Sequence, residues 1–274
     1  MAVAFQRART DEQREARREH ILAVVRELLG ERRVADVGLN ELSRHVGLAK
    51  SNVLRYFGSR EAILLELTRR EYTAWVDDLV ATGPHDGAGS AGLTGPAGPA
   101  GPAGSADSAD TTGPAGSAGP VGPVESAEPA DSAEAVERLA SRIARTAVSR
   151  PLLAELLANL MTTVEHNVTP REIADFKLAI YEQAGRLRDL VEAVVGPLPE
   201  AARLALIPGI HALITEFHSL ARPSPALQRA AAANPCVIAG FAGGVDHADA
   251  LASALTLYLD GARAAAARRP ASRR

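Results

Sequence analysis

A chain of 274 residues, 46% of them hydrophobic, has room for one large domain or two smaller ones and enough apolar matter for a real core. Aromatics make up only 4% and the net charge is -3, which disfavours a strand-rich fold and excludes a protein that is basic throughout. The single cysteine, Cys236, excludes an internal disulfide and a cysteine-based zinc cage, and is read as an inert thiol. The opening MAVAFQRART has no signal-peptide apolar core, and no uncharged apolar run approaches the roughly 20 residues of a membrane span. The expectation is a soluble cytoplasmic protein with no membrane partner.

In chain order, the first predicted element is a helix over 11–30, where Ile21, Leu22, Val25, Leu28 and Leu29 fall on one stripe. A short helix near 39–46 follows, then Gly47, then a helix near 49–57 that Gly58 breaks. Ser59 is placed to cap a long helix reaching Ala81. Residues 82–131 are Gly, Pro, Ala, Ser and Asp-rich without Lys or Arg, and are read as a flexible linker with no role in the fold. Helical pattern resumes over 132–148 and after Pro151, where Leu152, Leu153, Leu156, Leu157, Leu160 and Val164 make a wide apolar face. Helices over 170–195, 199–220 with a kink at Pro208-Gly209, and 246–267 follow, with an irregular connection over 221–244. No segment alternates as a strand does. The chain is therefore expected to be all-α, with an N-terminal three-helix domain (11–60), a connecting helix (61–81) and a C-terminal helical domain (132–267).

Charge is concentrated where the turn is. Arg44, Lys50, Arg55 and Arg60 lie between Leu42 and Arg60 with no Asp or Glu among them, whereas no Lys or Arg stands between Arg70 and Arg138. Taking Gly47 as the turn residue, Leu39, Leu42 and Val46 face inward from the first helix, Leu48 fills the turn, and Val53 and Tyr56 face inward from the second. Ser43 is small where the helices approach. Lys50, Ser51, Asn52 and Arg55 are then left outward, side chains of the kind that reach phosphates and base edges. Arg7 and Arg9 are read as a disordered terminus before a minor-groove arm, and the terminal Arg268, Arg269, Arg273 and Arg274 as a solvated tail.

The run NELSRHVGLAKSNVLRYFGSREAILLEL, positions 40–67, resembles the tetracycline-repressor (TetR) family, most specifically in YFGSRE at 56–61. The resemblance implies a helix-turn-helix that binds double-stranded DNA, with Asn40, Arg44, Lys50, Ser51, Asn52, Arg55, Tyr56 and Arg60 as its contact residues. Two positions depart from the family: Gly38 stands where a Thr or Ser cap is common, and Leu54 where a backbone-contacting Tyr is common. The resemblance also implies a homodimer, with the last two long helices as the seam; Ile210, Ile214, Phe217, Leu251, Leu255 and Leu259 are its expected residues. It implies a cavity for an unknown small-molecule effector, for which Asn159, Thr163, Phe176, Tyr181 and Gln183 are the candidates, although a buried core without a ligand predicts most of the same residues.

His211 and His218 stand seven apart with Thr215 between, but no third ligand follows at metal spacing, so they are read as pocket or interface lining, with no metal and no cofactor. No nucleophile–base–acid set or phosphate loop is present, so no enzyme is expected. The function expected is a transcription regulator, a ligand-responsive repressor on a palindromic operator. The alternative is an effector-independent or partner-regulated DNA-binding factor on the same fold.

Overall fold

The computed structural model describes residues 2–82, 129–160, 167–237 and 246–268, with side chains described from 11 onward. Residues 83–128 of the expected linker, Thr163, Val164 and the arginines at 269, 273 and 274 lie outside the described residues, and so do the side chains of Arg7 and Arg9; residues 129–131, expected to belong to the linker, instead begin a helix. Ten α-helices and no strand occur among the described residues.

The head is built from α1 (Ala2–Glu31), α2 (Leu39–Val46), α3 (Lys50–Phe57) and the start of α4 (Arg60–Ala81). Ile21, Leu22, Val25, Leu28 and Leu29 of α1 are all buried, as their spacing requires, against Leu42, Val46, Val53 and Phe57. Ser59 starts α4 by accepting the Ala62 amide at 3.0 Å. The helix then leaves the head and enters the body, where Tyr72, Trp75, Val76 and Leu79 are fully enclosed. Trp75 donates its indole N–H to Thr146 Oγ1 at 3.0 Å, which ties the connecting helix to the body at a fixed rotation.

The body comprises α5 (Pro129–Val148), α6 (Pro151–Asn159), α7 (Pro170–Val195), α8 (Glu200–Ala221), α9 (Pro225–Ala233) and α10 (His247–Ala267). In α5 the buried face is Val136, Leu139, Ala140, Ile143, Ala144 and Ala147, and its alanines let α10 lie close along it. Thr169 and Glu172 form a capping box at the start of α7, and Gly196, at φ +88°, ends it. The irregular connection expected over 221–244 instead holds α9. Ser224 accepts the Leu227 amide and Pro225 takes the first helical position, so a Ser-Pro-Ala run that reads as a loop is a helix start.

Pro208 sits inside α8, as the sequence indicates. Next to it, Gly209 makes room for Tyr258 of α10: a Cβ at 209 would overlap the tyrosine ring and hydroxyl. The hydroxyl donates to the Ala205 carbonyl at 2.8 Å, so the α8–α10 crossing depends on a residue without a side chain. By length and composition α8 could cross a membrane, with a mean hydropathy of 1.3 over its most apolar window. It is nevertheless one-sided here: Leu206, Ile207, Ile210 and Ile214 are buried, while Leu204 is 73% exposed.

His211 joins α8 to α4. Its Nε2 lies 2.9 Å from the Tyr72 hydroxyl, and the two rings meet edge to face at 5.2 Å. Burial pushes the imidazole down from its ordinary 6.5 to about 4. The ring is thus neutral in the fold at pH 7. Between pH 6.5 and 4 the unfolded chain takes up a proton that the folded chain refuses, so acidification costs stability. His211→Gln should remove that component, on the order of 3 kcal/mol by linkage. Urea unfolding from pH 7 to 4 checks this; identical slopes for wild type and variant would show that His211 is not held neutral.

Candidate nucleic-acid interface

The helix-turn-helix is closed by local hydrogen bonds. Gly47 ends α2 in the left-handed region at φ +70°, and its N–H reaches the Arg44 carbonyl at 3.2 Å. No atom outside its neighbours lies within 4 Å of a Cβ built at Gly47, so the backbone angle, not crowding, requires glycine there. Ser43 is buried and returns its hydroxyl to the Leu39 carbonyl at 2.8 Å. Gly38 starts α2 with backbone contacts alone: its carbonyl accepts from Glu41 and Leu42, each at 3.0 Å. Gly58, at φ +72°, ends α3.

With Val53 and Phe57 buried, the outward side of α3 carries Lys50, Ser51, Asn52 and Arg55, all exposed. Asn40 and Arg44 are exposed on α2. Among the described residues, no carboxylate pairs with Arg44, Lys50 or Arg55. At about 1.5 Å per residue, an eight-residue helix is about 12 Å long, which suits a major groove about 12 Å wide. Tyr56 is half-buried against the core, so only part of its ring is available.

Arg60 requires a correction. It was expected to face DNA, but its guanidinium is folded back: Nε donates to the Val37 carbonyl at 2.6 Å, Nη2 to the Val34 carbonyl, and Nη1 pairs with Glu61 at 3.1 Å. Its role is to brace the turn Val34–Asp36 between α1 and α2. The sequence shows only its basic charge, not that two carbonyls consume it.

Arginines on α1 were missed. Arg18 lays its guanidinium 4.2 Å over the Phe57 ring and donates to the Tyr56 carbonyl, stapling α1 to the end of α3. One turn earlier, Gln13 and Arg14 line a cleft with Arg55 and Tyr56, so the cationic face extends beyond the two-helix motif. The i,i+4 spacing of Arg14 and Arg18 was the available signal.

The head is latched to the body by a buried carboxylate, Glu155 of α6. Its Oε1 accepts the Val34 amide at 3.0 Å, and its Oε2 accepts from His218 Nε2 of α8 at 3.2 Å. The hydrogen bond from His218 holds the carboxyl below its ordinary range, against the opposing effect of burial. Nearby, Arg33 Nη2 donates to the Arg222 carbonyl at 2.6 Å, so the end of α8 also touches the head. His211 and His218 therefore serve separate partners, Tyr72 and Glu155.

Among the described residues, the expected effector residues do not share a cavity. Asn159 donates to the Glu155 carbonyl at 2.8 Å, Phe176 is buried beside the head, Tyr181 is 64% exposed, and Gln183 accepts from Arg186 at 2.7 Å. Thr163 is outside the described residues. A cavity does exist elsewhere, about 170 Å3, between α5, α6, α8 and α10. The expected seam residues need correcting too. Ile210, Ile214, Leu251, Leu255 and Leu259 are buried inside the subunit, and Phe217 lines that cavity. Apolar periodicity located the helices' inner face, not their outer one.

A cationic eight-residue helix set on a left-handed glycine turn defines a helix-turn-helix DNA-binding regulator. Comparison with known families agrees. The family model for the C-terminal domain of tetracyclin repressor-like proteins matches residues 122–266, and that for bacterial regulatory proteins of the tetR family matches 21–67. The chain belongs to the TetR family of transcription regulators. A possible TetR family transcriptional regulator from Streptomyces coelicolor A3(2) has a similar structure over 90% of this chain and 98% of its own, with a TM-score of 0.50 and 14% identity. A protein assigned to the same family from Shewanella sp. PV-4 aligns over 89% of this chain and 97% of its own, with a TM-score of 0.46 and 14% identity. No curated protein matches the chain.

Glu155→Ala should destabilise the protein by about 1–3 kcal/mol at pH 7, because it strands the buried Val34 amide and the His218 imidazole. The folded carboxyl titrates below its ordinary 4.5, so this contribution is present above that pH and is lost as pH falls through the folded value. Denaturant unfolding of both proteins over a pH series measures the gap. A gap that is absent at neutral pH, or unchanged in acid, would contradict the latch.

Proposed function

We propose that the protein is a homodimeric repressor that binds a palindromic operator through α3 and releases it in response to a small molecule. The observation that carries the DNA reading is the outer face of α3, where Lys50, Ser51, Asn52 and Arg55 are exposed and no described carboxylate pairs with the cations. A helix this short contacts only a few base pairs, so specificity calls for two half-sites and hence two subunits.

The dimer reading is supported by the outer sides of α8 and α10. Leu204 is 73% exposed and Leu257 is 77% exposed, with Ala201, Ala205, Ala212, Gly261 and Ala264 exposed along the same helices. Small residues allow close helix approach, and the leucines gain from being covered. The ligand reading is supported by the cavity walled by His218, the same residue that holds Glu155 against the head. At 170 Å3 the cavity is below the roughly 300–1,000 Å3 of common ligand sites. That size favours either a very small effector or the alternative, a factor regulated without one.

For DNA, fragments selected from genomic DNA should bind far better than random sequence. Lys50→Ala and Arg55→Ala should each weaken binding about tenfold or more and flatten its dependence on salt, since each phosphate contact releases a counterion. Fluorescence anisotropy at several salt concentrations measures both, and a wild type with no fragment preference would refute the DNA reading.

For assembly, analytical ultracentrifugation should find a dimer at micromolar concentration. Leu204→Glu with Leu257→Glu should give a folded monomer with unchanged helix content, because both side chains are exposed in the subunit and the two-fold repeats each defect. A monomeric wild type, or a variant that stays dimeric, would place the seam elsewhere.

A further inference from the structure

The cavity between α5, α6, α8 and α10 has largely apolar walls and one arginine among its lining residues. Ala154, Ile214, Phe217 and Leu251 form its walls, while His218, Arg222 and His247 supply the polar groups. Among the described residues no carboxylate lines it. Glu155, the nearby acid, already has Oε1 on the Val34 amide and Oε2 on His218. Asp246 caps the first amides of α10 through Ala248 and Asp249 at 2.7 and 3.2 Å. The Arg222 guanidinium has no ion-pair partner among the described residues, although its charge helps hold Glu155 ionised.

Volume and charge together narrow the occupant. An apolar cavity of roughly 150 Å3 holds a single benzene-sized ring, and this one, at 170 Å3, is little larger. Its aromatic wall, Phe217, suits a flat ring, and its rim of one guanidinium and two imidazoles suits a single negative charge. We propose that the cavity binds a small aromatic monocarboxylate, with its ring against Phe217 and Leu251 and its carboxylate at Arg222 and His218. This inference rests on the ligand-responsive reading above and specifies its ligand class. The consequence for DNA binding follows from His218. An acid that draws on this imidazole competes with Glu155 for it, and Glu155 holds the Val34 turn of the head, so ligand binding and DNA binding oppose each other.

Benzoate and its neutral isostere benzyl alcohol serve as probes, titrated by calorimetry into the full chain and into two variants. Arg222→Gln removes the charge. Val148→Trp, at a half-exposed position on the cavity rim, blocks the cavity without disturbing the core. Wild type should take benzoate at least tenfold more tightly than benzyl alcohol. Arg222→Gln should lose that tenfold while binding benzyl alcohol unchanged, and Val148→Trp should bind neither. Equal affinity for the two probes, no binding of either at millimolar concentration, or indifference to both substitutions would overturn the proposal. DNA affinity of the same preparations separates the two claims. Protein that prefers its selected fragment but ignores both probes refutes the cavity assignment and leaves the regulator reading standing; protein without any fragment preference refutes the regulator reading itself.

Discussion

A carboxylate buried between two domains is costly unless each of its oxygens is satisfied. Glu155 meets that condition by accepting from the head through the Val34 amide and from the body through His218. Much else depends on this arrangement. The turn Val34–Asp36 is held from one side by Glu155 and from the other by Arg60, whose guanidinium takes the Val34 and Val37 carbonyls. That turn leads directly into α2, and α2 sets α3 through the Gly47 turn. The orientation of α3, the helix proposed to face DNA, is therefore referred, through a few hydrogen bonds, to the position of α6 and α8. Any molecule that alters the hold of His218 on Glu155 acts at the start of this chain of contacts.

The outer face of the helix-turn-helix differs in its electrostatics from much of the chain. Many other arginines are matched with acids: Arg70 with Glu19 and Glu66, Arg69 with Glu66, Arg26 with Glu71, Arg150 with Asp78, Arg186 with Asp77. Such exposed pairs add little stability individually, but they cancel charge locally. Arg44, Lys50 and Arg55 are not matched in this way, so a protein with a net charge of -3 keeps one surface that attracts phosphate. The charge balance of the whole molecule and the charge of its working face have opposite signs.

Much of the fold could be read from spacing. The inner stripe of α1 is visible because its apolar residues share one side, and Gly47, Gly58 and Ser59 mark boundaries that the backbone obeys. Legibility failed where one residue type serves two purposes. Arg60 looks like Arg55 in a sequence; only the position of two carbonyls makes one a brace and leaves the other exposed. In α8, which is apolar nearly all round, periodicity cannot say which side meets the subunit's own core. Ile210 and Ile214 took that side, leaving Leu204 and the alanines outside. Glu155 and His218 lie 63 residues apart, and no local pattern announces a partnership at that range. The effector candidates rest on the resemblance alone, and no local pattern shows that Asn159 and Gln183 are occupied by neighbours within one turn.

The central claim is that DNA meets the outer face of α3 and not another surface of the molecule. Cross-linking tests it most directly. With Cys236→Ser as background, a photoreactive probe is attached at Ser51→Cys on α3 or at Leu178→Cys, an exposed position on α7. On a selected fragment, the account predicts efficient cross-links from position 51 to bases in the major groove and none from position 178. Cross-linking from 178 with silence at 51 would contradict it.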